Sequence, residues 1–136
     1  MIEGWKLAVA VRDDLAAWQK LNVTAFVVSG IGTAHPEVIG DAYEDASGTK
    51  YLPMAGMPVL VYAGDGPGVR RAFDRAVGRE LAVSVYTDDL FATMNDADNR
   101  AAVAAVAYDD LSIAGFAVAG ERRQVDKAFD KLRLHP

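Results

Sequence analysis

The sequence predicts an α/β fold, a single three-layer domain over residues 1–136 in which a four-stranded mixed sheet lies between helices. Three observations carry this prediction. The chain of 136 residues has the length of one domain and is short for two. Four apolar runs are too short for helices and are apolar on both parities, which is typical of strands covered on both faces. Segments with helical spacing alternate with these runs.

The four apolar runs are the predicted strands, and they cover residues 7–11, 59–62, 81–86 and 113–118. The first predicted helix follows the first strand. We expect Asp13 or Asp14 to cap it, because a carboxylate accepts hydrogen bonds from the free N–H groups of a first helical turn. The apolar side of this helix is predicted to carry Leu15, Trp18, Asn22, Ala25 and Phe26.

Three more helices are predicted farther along the chain. The first follows the turn at 65–67, and the second follows the capping residue Asn95 or Asp96. The third covers residues 125–132. Residues 30–56 break the alternation, with several glycines, two prolines and no sustained period. Within this segment we expect a small hairpin, and a long irregular segment is often a flap over a functional site.

Composition excludes several classes of function. The chain contains no cysteine, so disulfides, cysteine-ligated zinc, iron–sulfur clusters and thiol catalysis are excluded. Its net charge is −5, which disfavours a nucleic acid as the default partner, although a helix with four arginines at residues 70–79 keeps that class open. No apolar run reaches the roughly 20 residues that cross a bilayer, and no signal-peptide core is present. We therefore expect a cytoplasmic protein without a membrane partner.

Metal and histidine chemistry also find little support. Residues 95–99 resemble the start of a calcium loop, but positions 101 and 107, where that loop needs glycine and glutamate, are both alanine. His35 is the one histidine away from the chain end, so a histidine-rich metal centre is excluded. We expect neither a metal nor another cofactor. His35 remains a candidate acid–base or ligand-binding group in a cleft, beside the alternative of an ordinary loop histidine.

Charged residues follow the first predicted strand, where open α/β sheets place their ligands. Arg12, Asp13 and Asp14 end this strand, and Lys20 lies in the following helix. An arginine and two acids there could position the lysine as a base or as a partner for an oxyanion. The alternative is a capped helix with a surface lysine.

Several segments resemble a bacterial family known as a domain of unknown function, the DUF2000 family. These segments are residues 34–40, 50–54, 58–63, 85–93 and 128–136. The resemblance covers essentially the whole chain. It implies a fold similar to peptidyl-tRNA hydrolase II, a mixed sheet between helices, and it implies no established activity.

The similarity to those hydrolases extends to one motif. Their first strand ends in Val-Arg-x-Asp-Leu, which is matched by Val11, Arg12, Asp14 and Leu15. The resemblance implies that Lys20 corresponds to the catalytic lysine, in an uncertain register. It also aligns Tyr86-Thr87-Asp88 with an Asp-Ala-Gly sequence of the hydrolases, from which this chain departs.

Three functions follow from these residues. The first is a domain that binds a small ligand or a protein in a cleft at the end of strand one, walled also by residues 30–56 and 87–88. The second is a hydrolase of an ester or amide such as peptidyl-tRNA. The third is a structural homodimeric module with Trp5, Tyr51, Met54 and Met57 at its interface. The predicted catalytic residues are Lys20, Asp14 and Asp88, and the predicted ligand-binding residues are Arg12, His35 and Thr87.

Overall fold

A computed structural model describes residues 2–136 and gives the architecture of the chain. In chain order its elements are β1 (Trp5–Arg12), α1 (Ala17–Ala34), β2 (Tyr43–Glu44), β3 (Lys50–Tyr51), β4 (Val59–Gly64), α2 (Gly66–Gly78), β5 (Ala82–Thr87), α3 (Asp96–Ala104), β6 (Ile113–Glu121), α4 (Arg122–Ala128) and β7 (Arg133–Leu134). Short 3-10 turns lie at Pro36–Val38, Asp88–Ala92 and Tyr108–Asp110. The mixed α/β class predicted from the sequence is confirmed.

The main sheet has five strands in the order β5-β6-β1-β4-β7, so the predicted count of four is wrong. The missed strand is β7, which has two residues and is too short for an apolar pattern to reveal it. β1 is central, because it pairs in parallel with β4 and antiparallel with β6. Its residues 6–11 are all buried, as expected for a strand with a helical layer on each face.

α1 covers one face of the sheet, and α2 and α4 cover the other. The side of α1 that packs on the sheet carries Val23, Val27 and Ile31. The predicted apolar side is therefore wrong, since Trp18 and Phe26 are more than half exposed. The buried residues of α1 are β-branched, because packing on the sheet outweighs their low helix propensity.

Both ends of α1 differ from the prediction. Neither Asp13 nor Asp14 caps the helix. Ala16 precedes it, and its N–H donates to Gln19 Oε1 at 2.9 Å. The helix also continues through Gly30, where a Cβ would come within 2.8 Å of the Ser84 Cβ. Close packing on β5 thus explains a glycine inside the helix, and the irregular segment begins only at residue 35.

The predicted hairpin is confirmed as β2 and β3. Every residue from 41 to 54 is exposed. β1, β4 and β5 run in the same direction, so their last residues share one edge of the sheet, the carboxyl edge. Their first residues share the opposite amino edge. Among residues 2–136, no helix combines the length and the apolar character needed to cross a membrane.

Candidate functional site

Arg12 is the last residue of β1 and lies at the carboxyl edge. Its guanidinium donates from Nε to Asp14 Oδ1 at 2.7 Å and from Nη1 to Asp88 Oδ2 at 2.7 Å. The side chain of Arg12 is 16% exposed, while those of Asp88 and Asp14 are 34% and 65% exposed. Arg12 therefore joins the end of β1 to the end of β5 through two charge-assisted hydrogen bonds.

Asp88 is also held from the start of β6. Its N–H donates to the Ser112 carbonyl at 3.0 Å, and the Ser112 hydroxyl donates to the Asp88 carboxylate. Arg12 Nη1 reaches the Ile113 carbonyl at 3.3 Å. Arg12, Asp14, Asp88 and Ser112 form one hydrogen-bonded group, which we call the edge cluster. Three segments that are distant in sequence contribute to it.

The ion pairs of the edge cluster stabilise its charged state. The hydrogen bond to Asp88 holds the pKa of Arg12 above its ordinary value, against the opposing effect of burial, and Asp14 adds to the rise. The hydrogen bond from Arg12 holds the pKa of Asp14 below its usual range. Both side chains are therefore charged at neutral pH.

Thr87 lies directly before the edge cluster and is 1% exposed. Its hydroxyl is a buried polar group with no hydrogen-bond partner within residues 2–136. The register of β5 against β6 shifts between Tyr86 and Thr87, and such irregularities re-aim side chains near functional sites. A buried hydroxyl without a hydrogen-bond partner costs free energy, because its lost hydration is not replaced.

A cavity of about 310 Å³ adjoins the edge cluster and is lined by Arg12, Gly66, Pro67, Arg70, Asp109, Leu111, Ser112 and Ile113. Arg70 holds its outer wall, because it donates to the carbonyls of Leu111 at 3.0 Å and Tyr108 at 2.9 Å. The first turn of α2 forms another wall. Asp65 caps this helix by accepting from the Gly68 N–H at 2.7 Å.

Within residues 2–136, Lys20 is bonded to neither of the two predicted catalytic carboxylates, although its charge helps to lower the pKa of Asp14. Its Nζ lies 3.2 Å from His135 Nε2, whereas Asp14 and Asp88 are both bonded to Arg12. The structure therefore brings together Arg12, Asp14, Thr87 and Asp88 of the predicted site, with Lys20 on a neighbouring surface.

His35 lies at the amino edge. Its ring packs edge-on against Trp5, with centroids 5.0 Å apart, and its Nδ1 is 3.4 Å from Glu37 Oε1. β1 has 8 residues, so at about 3.3 Å per residue roughly 23 Å separate Trp5 from Arg12. His35 and the irregular segment after it therefore do not share a cleft with the edge cluster.

Other polar and charged residues singled out in the sequence have structural partners. Arg75 donates to the carbonyls of Ala128 at 3.0 Å and Asp130 at 2.6 Å, which ties α2 to the end of α4. Asn95 caps α3 by accepting from the Asp98 N–H at 2.9 Å. Among residues 2–136, no three His, Asp or Glu side chains converge in a way that could hold a metal ion.

Ser112 is the member of the edge cluster that sequence reasoning missed. It precedes β6, and the antiparallel pairing of β6 with β1 brings the start of β6 to the carboxyl edge. The sequence predicts the strand, but the direction of β6 relative to β1 decides where Ser112 lies.

Comparison with known proteins gives a family match and similarity to solved structures. The model of a family described as a protein of unknown function (DUF2000) matches residues 5–136. A solved structure of a protein of unknown function, Atu0240 from Agrobacterium tumefaciens strain C58, is similar with a TM-score of 0.95 and 39% identity, covering 99% of this chain and 100% of that one. A search of curated proteins finds no match.

Proposed function

The chain belongs to the DUF2000 family, for which no activity is established, and we propose that it is a binding domain for a small polar ligand at the edge cluster. The observation that carries this proposal is the convergence of Arg12, Asp88 and Ser112, from three distant segments, beside a cavity at the carboxyl edge. This is the edge at which open α/β sheets bind their ligands.

The unused hydrogen-bonding capacity of the cluster indicates the chemistry of the ligand. Arg12 has five N–H donors, and the bonds to Asp14, Asp88 and Ile113 leave those of Nη2 without a partner within residues 2–136. Asp88 receives its side-chain bonds on Oδ2, which leaves Oδ1 as an acceptor. A matching ligand carries a carbonyl or carboxylate oxygen for Arg12 and a hydroxyl or amine for Asp88.

A thermal-shift screen with small hydroxy acids, amino acids, sugars and nucleosides tests the proposal. A matching compound raises the melting temperature of the wild-type chain. Arg12→Met removes the ion pairs and the free donors, so the rise disappears. Arg100→Met is the matched control, because Arg100 lies on α3 and pairs with Asp96 at an exposed site. It keeps the full rise.

Two results contradict the proposal. One is the absence of a shift with every class of compound in the folded wild-type chain. The other is a shift that Arg12→Met leaves unchanged, since this places the ligand away from the edge cluster.

We also propose two finer points, a fold similar to peptidyl-tRNA hydrolase II and a cytoplasmic location. The first is supported by the Val-Arg-x-Asp-Leu match, whose Arg12 and Asp14 are bonded to each other. The second is supported by a cysteine-free composition, which needs no oxidising compartment. Hydrolysis of an ester or amide at Lys20 is a separate hypothesis. A peptidyl-tRNA release assay with the wild-type chain and Lys20→Met tests it.

A further inference from the structure

A second cavity lies on the α1 face of the sheet, where one helix does not cover all five strands. α1 packs on β5, β6 and β1, and beside it the β4 residue Val61 is only half-buried. The opening between helix and strand encloses about 400 Å³ and is lined by Val11, Ala17, Lys20, Leu21, Thr24, Val61 and His135. We call it the α1 cavity. It shares no residue with the cavity of the edge cluster.

The walls of the α1 cavity are apolar. Val11 is buried at its base, and Leu21, which is 73% exposed, stands at its mouth. Thr24 turns its hydroxyl toward its own helix, where it donates to the Lys20 carbonyl at 2.8 Å. Such walls favour an apolar chain over a sugar or another polyhydroxylated molecule.

Lys20 is the one lysine of this lining, and the lining contains no arginine, aspartate or glutamate. His135 Nδ1 lies 3.1 Å from the main-chain oxygen of Pro136 and its Nε2 lies 3.2 Å from Lys20 Nζ. Both contacts are hydrogen bonds when the proton is on Nδ1, so that Nε2 accepts from the ammonium group. This contact orients Lys20 and uses one of its three N–H donors. No carboxylate within residues 2–136 forms an ion pair with it.

We propose that the α1 cavity binds a small carboxylate with an unbranched aliphatic chain. The carboxylate accepts from the two remaining N–H groups of Lys20, and the chain lies against Val11, Leu21 and Val61. The sign of the charge follows from Lys20, and the aliphatic chain follows from the walls. The volume of about 400 Å³ is within the range of small-molecule sites.

Titration calorimetry of the full chain with butanoate, hexanoate and octanoate tests this proposal, with hexan-1-ol and hexylamine as neutral and cationic analogues. Each added methylene that enters the cavity tightens binding by up to about fourfold. Hexanoate binds at least roughly tenfold more tightly than hexylamine, because Lys20 attracts one and repels the other. Amide chemical shifts locate the bound chain around residues 11, 21, 24 and 61.

Three variants test the charge of Lys20 separately from the apolar walls of the α1 cavity. Lys20→Met keeps the aliphatic stem and removes the charge, so hexanoate binding weakens about tenfold or more while hexan-1-ol binding is unchanged. Ala17→Phe fills the cavity from an exposed position, so it weakens the binding of both hexanoate and hexan-1-ol. Lys50→Met, which removes an exposed lysine from the hairpin, is the matched control and changes neither.

The proposal is overturned if no alkanoate binds the folded wild-type chain. It is also overturned if hexanoate and hexylamine bind equally well, or if Lys20→Met binds hexanoate as the wild-type chain does. Failure of the edge cluster to bind a ligand has no bearing on these outcomes, because none of the variants alters it.

Discussion

At the carboxyl edge, Arg12 donates hydrogen bonds to groups up to 101 positions away in the sequence. The β2–β3 hairpin lies beyond the amino edge, and its side-chain hydrogen bonds join near neighbours in the sequence. In the hairpin, Asp45 accepts from the N–H groups of Ser47 and Thr49 and from the Tyr51 hydroxyl, all within six residues. Bonds between distant segments depend on the whole fold. The edge cluster is therefore a tertiary arrangement that the whole fold holds in place, and the hairpin is a local structure.

The largest difference between the two regions is expected for two glycine substitutions. Gly115 pairs with Val11, and a Cβ on it would lie 2.6 Å from the Ala10 oxygen and 2.6 Å from Val23 Cγ1. Gly115→Ala should lower the free energy of unfolding by about 3 kcal/mol. Gly48 in the hairpin has open space around it and a φ of +82°, so Gly48→Ala should cost only the strain of the left-handed backbone, about 1 to 2 kcal/mol. Urea denaturation measures both, and equal costs would contradict the comparison.

Arg12→Met is the next test. Loss of the guanidinium leaves the partly buried Asp88 with Ser112 as its one side-chain partner, which should cost about 2 kcal/mol of unfolding free energy. In the hairpin, Tyr51→Phe removes an exposed 2.8 Å bond to Asp45 and should cost about 0.5 kcal/mol or less. If the two variants unfold at the same urea concentration, the edge cluster does not stabilise the fold as described.

Thr87→Val removes the buried hydroxyl that has no hydrogen-bond partner within residues 2–136. Unlike the preceding substitutions, it should increase the free energy of unfolding. Removal of a polar group that is buried and unbonded should raise the free energy of unfolding by about 1 kcal/mol. A loss of stability would show that the hydroxyl has a bonding partner in the free protein.

The smallest effect concerns pH. Burial raises the pKa of the Tyr86 hydroxyl above its ordinary value of 10.0, and the hydrogen bond from Asn22 offsets part of the rise. The folded state therefore holds this proton more tightly than the unfolded state. Its contribution to stability is complete below pH 10 and declines as the pH rises further. Tyr86→Phe should flatten the decline measured by urea denaturation above pH 10, and an unchanged decline contradicts the assignment.

A residue of the hairpin contributes to the decline of stability at acidic pH. The Tyr51 hydroxyl and the backbone N–H groups hold the pKa of Asp45 below its ordinary value of 3.8. Its contribution is therefore present above that value and declines as the pH falls. Asp45→Ala should leave the alkaline limb of the stability curve unchanged, and it serves as the control for Tyr86→Phe.

Strands with buried residues on both faces were predictable from the sequence, and so was the grouping of Arg12, Asp14 and Asp88. All three follow apolar strands, and parallel strands bring their carboxyl ends together. Ser112 and β7 were not predictable, because their positions depend on strand direction and on the pairing of two residues. The distance of His35 from the edge cluster was not predictable, because α1 continues through two glycines and packing against β5 decides this rather than local propensity.

The proposal with the widest consequence is that the edge cluster binds a small polar ligand. The most direct test maps amide chemical shifts of the full chain with the strongest compound from the thermal-shift screen. The shifted amides are expected to cluster at residues 12–14, 66–68, 87–88 and 112–113. Shifts confined to the amino edge and the hairpin, at residues 35–58, would contradict it.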